Sequence, residues 1–331
     1  MNKKTLNFGI IGCGNVATTH ADALASIERG RLIGVSAHTP ANAEKFAKKY
    51  NALCYGSYEE MLADPQIDAI IVCTPSGLHL ENAIAALSAG KHVVLEKPMA
   101  FTRKECQRIA KTAEENGRVL TVISQRRFSD DIQKVKQLIE ENAFGQLVFC
   151  DLYLKNWRDE EYYTSSYWKG TQEYDGGGAL MNQGIHGVDV LLHLVGDAKV
   201  LSAKKRAAFH NIEVEDQVIA MLEFDNGAMG VVEASTCAYP GYPRRIEIIG
   251  TKGSVVLIES KIERLVVHGE TYTNDDICKT GDSPVANPEL HALQLRNFIA
   301  AVFGEEALLV DAADGARAVS LIEEIYNKQI P

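Results

Sequence analysis

A glycine-rich hexapeptide, Gly12-Cys13-Gly14-Asn15-Val16-Ala17, comes directly after a strand-like run and opens a helical pattern. In this setting the first glycine permits a tight turn, the second lets the backbone approach a pyrophosphate, and a small sixth residue lets helix and strand pack closely. The helix N-terminus then faces the anion. The alternative is a tight turn that binds nothing. The motif predicts dinucleotide binding by Gly12, Gly14, Asn15, Val16 and Ala17.

The residues that follow the next predicted strand bear on the choice between NAD and NADP. An acidic residue there normally binds the ribose hydroxyls and repels a 2′-phosphate. This chain instead has the neutral run Ser36-Ala37-His38-Thr39, which can hydrogen-bond a phosphate and stack an imidazole on adenine. We therefore expect NADP or dual use, with contacts from Ala37, His38 and Thr39. The alternative is that NAD is held by other contacts and that His38 is an exposed loop histidine.

A second polar group lies in the helical pattern Ala179–Val195, which follows a run of three glycines. At 100° per residue, four polar side chains share a stripe roughly 60° wide on an otherwise largely apolar helix. They are Asn182, His186, Asp189 and His193. Such groups either have hydrogen-bond partners in the core or line a cavity. Their alignment favours the second case, with His186 as a proton-transfer residue in a substrate pocket. We expect no metal site, because His186 and His193 are ~10.5 Å apart along the helix axis.

Lys97 is the third candidate, because it follows the predicted strand His92–Leu95. Ligands of open α/β sheets bind at the carboxyl ends of the strands, and Pro98 restricts the local backbone. Lys97 is therefore placed for chemistry at the expected nicotinamide end. The alternative is a surface lysine near a strand end.

Two architectures must position these residues. From Leu6 to about Ile123, β-rich runs alternate with helical patterns, which predicts a doubly wound parallel sheet, an α/β Rossmann domain over residues 1–123. The predicted strands are Leu6–Ile11, Arg31–Ala37, Ala69–Cys73, His92–Leu95 and Val119–Val122.

Residues 124–331 read as a second, α+β domain. The runs 216–224 and 228–237 flank Asp225-Asn226-Gly227, and the runs 245–250 and 254–259 flank Thr251-Lys252-Gly253, so both pairs predict hairpins. A long strand-like run at Gln146–Lys155 precedes them. Helical patterns lie near 130–141, 288–303 and 312–326.

The composition is that of an ordinary globular protein, with 331 residues, 46% of them apolar, and a net charge of −10. The acidic balance argues against nucleic acid or an anionic membrane as main partner, which leaves a small molecule. Seven scattered cysteines without a C-x-x-C pair favour a reducing compartment. With neither a signal-peptide pattern nor a ~20-residue apolar span, we expect a cytoplasmic protein.

Four motifs together resemble the Gfo/Idh/MocA family of NAD(P)-dependent sugar and polyol oxidoreductases over nearly the whole chain. They are the Gly12–Ala17 motif, Thr74-Pro75-Ser76 with His79, Glu96-Lys97-Pro98, and Gly176–Asp189. The resemblance implies a Rossmann domain and a substrate domain built on a large open, mainly antiparallel sheet, whose outer face commonly supports homodimers or homotetramers. It implies that Lys97 and His186 act beside the nicotinamide. It also implies cofactor contacts at Thr74, Pro75, His79, Glu96 and Gln125.

Substrate contacts are also implied by the resemblance. Many members have an aspartate one turn before the histidine, whereas this chain has Asn182, which we expect to hydrogen-bond the substrate without relaying a proton. Asp189 corresponds to a family acid and is expected to bind a sugar hydroxyl. The other expected substrate contacts are Arg127 and, from an aromatic loop, Tyr163 and Trp168. The run Tyr167–Thr171 is also similar to members that oxidise nucleotide-linked amino-sugar acids.

The expected reaction is hydride transfer between the nicotinamide and a secondary hydroxyl or ketone of a sugar or cyclitol. His186 would remove the hydroxyl proton and Lys97 would stabilise the alkoxide. Two alternatives remain open: a non-catalytic dinucleotide-binding sensor of the same fold, against which the presence of both residues argues, and a dehydrogenase of a non-carbohydrate diol. A short-chain dehydrogenase is excluded because no Tyr-x-x-x-Lys occurs in the chain.

Overall fold

Strands and helices alternate in the first part of the chain. The computed structural model describes residues 5–275, 277 and 288–330. In chain order, the elements are β1 (Leu6–Ile11), α1 (Asn15–Ala25), β2 (Gly30–Ser36), α2 (Pro40–Tyr50), β3 (Leu53–Cys54), α3 (Tyr58–Ala63), β4 (Ala69–Val72), α4 (His79–Ser88), β5 (His92–Leu95), α5 (Arg103–Glu115) and β6 (Leu120–Val122).

These strands form one parallel six-stranded sheet in the order β3-β2-β1-β4-β5-β6. This is the strand order of a Rossmann sheet, which places the ends of β1, β4 and β5 at one edge. All four residues of β4 are buried, as expected for a central strand with helices on both faces. The predicted doubly wound parallel sheet is confirmed. β3 was not predicted, because two residues are too few to show a periodicity.

The second part of the chain begins with a helix and continues mainly as strands. The elements are α6 (Asp130–Glu140), β7 (Leu147–Lys155), α7 (Glu160–Thr164), α8 (Ile185–Val195), β8 (Ala198–Arg206), β9 (Gln217–Phe224), β10 (Met229–Ser235), β11 (Arg245–Gly250), β12 (Ser254–Ile258), β13 (Lys261–Val267), β14 (Glu270–Thr273), α9 (Pro288–Val302) and α10 (Ala312–Asn327).

β7 to β14 form an open eight-stranded sheet in the order β14-β13-β12-β11-β7-β10-β9-β8. Neighbouring strands are antiparallel except β7 and β10, which pair in parallel. The two predicted hairpins, β9–β10 and β11–β12, are confirmed. Residues alternate between a buried and a more exposed face along β9 and β10, so one face of the sheet belongs to a core.

One helix departs from its predicted form. Ala179–Gly184 is a π-helical segment, and the α-helix begins only at Ile185. The angular spacing of 100° therefore holds for His186, Asp189 and His193 but not for Asn182, which lies in the wider π-helical turn. The predicted α-helix over Ala179–Val195 is therefore wrong before Ile185.

The described chain separates into two compact units. The first comprises Met1–Gln125 and Val285–Ala316, and the second comprises Arg126–Pro284 and Arg317–Pro331. α9 belongs to the first unit because its apolar face packs against α1 and the parallel sheet, with Leu295 and Phe298 fully buried. The predicted division into residues 1–123 and 124–331 placed α9 in the second domain. The assignment of cofactor binding to one domain and substrate binding to the other stays a prediction.

Two further observations complete the fold. In the part of the chain that the structure describes, no helix combines the length and apolar character that a membrane span needs. Six of the seven cysteines are free thiols. Cys278 lies outside the described residues.

Candidate active site

The turn after β1 is too tight for any side chain at its first glycine. Gly12 has a φ of +88°, and a Cβ atom there would lie 2.5 Å from the carbonyl oxygen of Cys73. The Gly12 amide donates to the carbonyl of Ser36 at 2.9 Å. The turn is therefore fixed against the ends of β2 and β4.

The N-terminus of α1 is open on the outer side of this turn. A Cβ atom on Gly14 would meet no atom within 4 Å, and no side chain caps the helix. The first-turn amides of Asn15, Val16 and Ala17 thus have room for an anion. Burial, followed by the nearby Cys54, raises the pKa of Cys13 to about 11, so this thiol adds no negative charge. The turn fits a pyrophosphate.

The end of β2 leads to two exposed polar residues. Ser36 is buried, Ala37 is half-buried, and His38 and Thr39 are exposed. Thr39 precedes α2 without capping it through its side chain, and the first turn of α2 contains no acidic residue. No residue from Ser36 to the first turn of α2 carries a negative charge that would repel a 2′-phosphate.

The turn after β5 holds a buried carboxylate next to Lys97. Glu96 accepts a hydrogen bond from Nε2 of His20 through Oε1 at 2.8 Å, and its Oε2 accepts the amide of Lys97 at 3.1 Å. Burial alone would raise the pKa of Glu96. The hydrogen bond from His20 and the charges of His20, His291 and Lys97 instead lower this pKa to about 2. The carboxylate is therefore charged, and Lys97 itself is half-buried.

His79 lies behind the same turn. Its Nδ1 is 2.6 Å from the carbonyl oxygen of Pro98, and its Nε2 is 3.0 Å from that of Thr74. Burial lowers the pKa of His79, and the two carbonyl groups oppose this effect. Both ring nitrogens face backbone atoms, so the predicted cofactor contact of His79 stays a prediction. Thr74 and Pro75 are half-buried.

Gln125 carries an acceptor that the described residues do not satisfy. Its side chain is buried, and its Oε1 has no hydrogen-bond partner among them. A buried acceptor of this kind usually has a partner. Gln125 therefore fits the predicted cofactor contact, which an amide donor such as that of a nicotinamide would satisfy.

In the second unit, Asn182 and His186 are half-buried at the junction of the π-helical segment and α8. Asn182 donates through Nδ2 to Oδ1 of Asp175, whose Oδ2 accepts the amide of Gly170 at 2.9 Å. Glu215 accepts the amides of Gly178 and Leu180 at 2.9 and 2.8 Å. Sequence reasoning did not single out these two acids as site residues. Their hydrogen bonds identify Glu215 as the group that holds the end of the glycine run and Asp175 as the group that orients Asn182.

Arg127 and Asp189 lie together in the second unit. The guanidinium donates through Nε to both carboxylate oxygens, at 3.0 and 3.2 Å, and through one terminal nitrogen at 2.7 Å. Both side chains are buried. The ion pair satisfies Asp189 inside the protein, so a substrate contact of either residue stays a prediction.

The aromatic residues between positions 162 and 168 differ in burial. Tyr163 is buried, and its hydroxyl donates to Oγ1 of Thr236 at 2.8 Å. Trp168 is half-buried. The ring of Tyr162 lies 4.0 Å from Nζ of Lys169, and its hydroxyl accepts from Gln183 at 2.8 Å. The substrate contacts expected at Tyr163 and Trp168 stay predictions.

Comparison with known proteins gave two family matches and many relatives. The model of an oxidoreductase family with an NAD-binding Rossmann fold, GFO_IDH_MocA, matches residues 6–124. The GFO/IDH/MocA C-terminal domain matches residues 132–256.

Among solved structures, the chain is similar to the WlbA dehydrogenase from Bordetella pertussis in complex with NADH and UDP-GlcNAcA. Identity is 31%, the TM-score is 0.88, and 98% of this chain and 96% of that chain are covered. scyllo-Inositol 2-dehydrogenase (NADP(+)) IolW of Bacillus subtilis is 33% identical over 60% of this chain and 54% of that protein. Myo-inositol 2-dehydrogenase of Thermotoga maritima is 26% identical over 96% and 94%.

Proposed function

The chain belongs to the Gfo/Idh/MocA oxidoreductase family, and we propose that it transfers a hydride between a nicotinamide cofactor and a secondary hydroxyl or ketone of a sugar or cyclitol. The observation that carries this proposal is the open glycine turn at Gly12–Ala17, which shares one sheet edge with the turn that holds Lys97. The relatives named as inositol dehydrogenases support the substrate class.

The residues of the chain have separate tasks in the proposed reaction. When bound, the nicotinamide supplies the site that accepts or donates the hydride. The amides of the first turn of α1 bind the pyrophosphate. The ammonium group of Lys97 stabilises the negative charge that develops on the substrate oxygen. An imidazole nitrogen of His186 takes the hydroxyl proton during oxidation and returns it during reduction.

We propose further that the protein uses NADP or both cofactors. The exposed, neutral His38 and Thr39 support this choice, and the relatives include an enzyme named for NADP and a structure with NADH. Parallel fluorescence titrations with NADH and NADPH at one ionic strength test it, since phosphate contacts are sensitive to salt. NADPH binding at least tenfold tighter, about 1.4 kcal/mol, supports a 2′-phosphate contact. NADH binding equal to or tighter than NADPH binding contradicts the preference for NADP.

A substrate panel tests the reaction. Purified protein is incubated with each oxidised cofactor and with scyllo-inositol, myo-inositol, UDP-GlcNAcA or an aromatic cis-diol, and formation of reduced cofactor is followed by absorbance. Oxidation of a cyclitol or sugar supports the proposal. Oxidation of the diol alone favours the non-carbohydrate alternative, and cofactor binding without any turnover favours a sensor.

A nucleotide-linked amino-sugar acid is a second candidate substrate. The 31% identity to the WlbA dehydrogenase, whose structure contains UDP-GlcNAcA, extends over nearly the whole chain. The run Tyr167–Thr171 is also similar to members of the family that oxidise nucleotide-linked amino-sugar acids. Turnover of UDP-GlcNAcA in preference to the inositols would establish this substrate class. Turnover of an inositol alone would exclude it.

We also propose that the protein forms a homodimer or homotetramer through the outer face of the eight-stranded sheet. Large apolar side chains on its strands are between 39% and 48% exposed: Phe149, Leu201, Ile219, Met221, Met229 and Ile249. An apolar face of this kind commonly marks an interface. The cytoplasmic location stays a prediction.

A further inference from the structure

Two buried histidines lie against the turn that carries Lys97. The proposed reaction gives His20 no role, and both ring nitrogens of His79, a predicted cofactor contact, face backbone carbonyl oxygens instead. His20 comes from α1 and His79 from the start of α4. Their side chains are 0% and 1% exposed. Buried imidazoles need hydrogen-bond partners inside the protein, and each of these two has one partner in Glu96-Lys97-Pro98.

His79 bridges the ends of two neighbouring strands. Thr74 follows β4 and Pro98 follows β5, and the imidazole lies between their carbonyl oxygens at 3.0 and 2.6 Å. Both carbonyl oxygens are acceptors, and we assign the ring N–H to Nδ1, which makes the shorter contact with Pro98. The residue that follows Lys97 is therefore held by a side chain from another element.

His20 holds the residue that precedes Lys97. Its Nε2 donates to Glu96 Oε1, and the second oxygen of Glu96 accepts the amide of Lys97. The carboxylate thus connects α1 to the backbone of the lysine. A charged carboxylate hydrogen-bonds more strongly than a neutral group, and the lowered pKa of Glu96 keeps it charged.

His291 from α9 completes the buried cluster. Its ring meets that of His20 edge-on, with centroids 5.1 Å apart. The possible metal-ligating atoms of His20, Glu96 and His291 lie within 4.8 Å of one another. The 2.8 Å contact between His20 and Glu96 is a hydrogen bond and accounts for their proximity without an ion.

We propose that His20 and His79 are positioning residues, which hold the Glu96-Lys97-Pro98 turn from its two sides and thereby fix the place of the Lys97 ammonium group. This rests on the proposed function of Lys97. Displacement of a catalytic group by about 1 Å can cost on the order of 10²-fold in rate. A turn held on only one side should lose rate in this way while the glycine turn still binds cofactor.

Matched substitutions separate the hydrogen bond from the bulk of each ring. His79→Asn keeps an N–H donor near the place of Nδ1, and His20→Gln keeps one near the place of Nε2. His79→Leu and His20→Leu remove the donors. His92→Asn is the control, because His92 lies at the opposite end of β5, where it accepts the amide of Val119.

Turnover of a substrate that the wild type oxidises in the panel is the first readout. Both leucine variants should lose at least tenfold in kcat, with KM and the Kd for NADH within about twofold of wild type. His79→Asn and His20→Gln should recover most of the loss, and the control should retain the wild-type kcat. Leucine variants with wild-type kcat, or an equal loss of kcat and NADH binding, would overturn the proposal.

Hydrogen exchange of the peptide Leu95–Thr102 is a second readout that needs no substrate. The leucine variants should exchange the Lys97 amide, which Glu96 binds, faster than wild type, whereas His79→Asn and His20→Gln should restore protection. Unchanged exchange contradicts the positioning role. If the wild type turns over nothing, the proposed function fails, and the exchange data still decide whether the two histidines hold the turn.

Discussion

Lys97 is the residue whose charge the proposed reaction needs most directly. It is half-buried after β5, and its backbone amide is bound by the carboxylate of Glu96. We expect Lys97→Met to lower kcat by about 10²–10³-fold, because an electrostatic donor to the developing alkoxide is lost. Steady-state kinetics and NADH titration measure this. Lys104→Met, an exposed lysine on α5, is the matched control, and a near-normal rate for Lys97→Met would remove the assignment.

His186 has the proton-transfer role, and the same helix provides its control. His186→Gln should lower kcat by about 10²–10⁴-fold and remove the acidic limb of the pH–rate profile for oxidation. His193→Gln, two turns further along α8, should retain the rate. Equal losses in both variants would show that helix packing, rather than proton transfer, had been disturbed.

At the scale of elements, the pairing of β5 with β6 depends on a neutral histidine. Burial, followed by the charge of Arg118, lowers the pKa of His92 to about 4, and Nδ1 accepts the amide of Val119 at 2.9 Å. The unfolded chain has a pKa near ~6.5 at this residue. The unfolded state thus binds more protons between these values, so stability falls as the pH falls from about 6.5 to about 4.

The His92→Asn variant tests this dependence, because its side-chain oxygen still accepts the Val119 amide but does not titrate. Between pH 7 and pH 5, wild type should lose more unfolding free energy than the variant, because only wild-type His92 takes up a proton on unfolding. Urea denaturation at both pH values measures the difference. Equal losses would mean that His92 is protonated as readily in the folded protein as in the unfolded chain.

The ion pair between Arg127 and Asp189 links the segment before α6 to α8. Asp189→Ala leaves a buried guanidinium without its carboxylate and should cost about 3–5 kcal/mol of stability. The double variant Arg127→Met with Asp189→Leu should recover most of this loss, since no charge is left buried. Urea midpoints measure both variants. Wild-type stability with a raised KM in Asp189→Ala would instead indicate a substrate contact.

At the scale of the whole molecule, the exposed apolar sheet face predicts self-association. Met221→Glu places a charge at the 46% exposed Met221 and should lower the mass measured by light scattering to that of the monomer, because burying an unpaired charge at an interface is costly. Leu53→Glu is the control at an exposed apolar residue of the first unit. An unchanged mass in Met221→Glu would place the interface elsewhere.

Much of the fold was predictable because its signals are local. Gly12–Ala17 carries its own turn chemistry, the strands of the first sheet alternate with helices, and Asp225-Asn226-Gly227 closes the hairpin between β9 and β10. These patterns depend on neighbours in the sequence, so backbone preferences and apolar periodicity suffice to predict them.

The tertiary structure alone decided which polar groups satisfy one another. His20 and Glu96 are 76 residues apart, and Arg127 and Asp189 are 62 apart. α9 returns from the end of the chain to pack on α1. No local pattern specifies such partners, because a buried polar side chain takes whichever complementary group the packing brings near. Local patterns therefore predicted the glycine turn and the candidates Lys97 and His186, whereas packing brought His20 and His79 to the turn that carries Lys97 and paired Arg127 with Asp189.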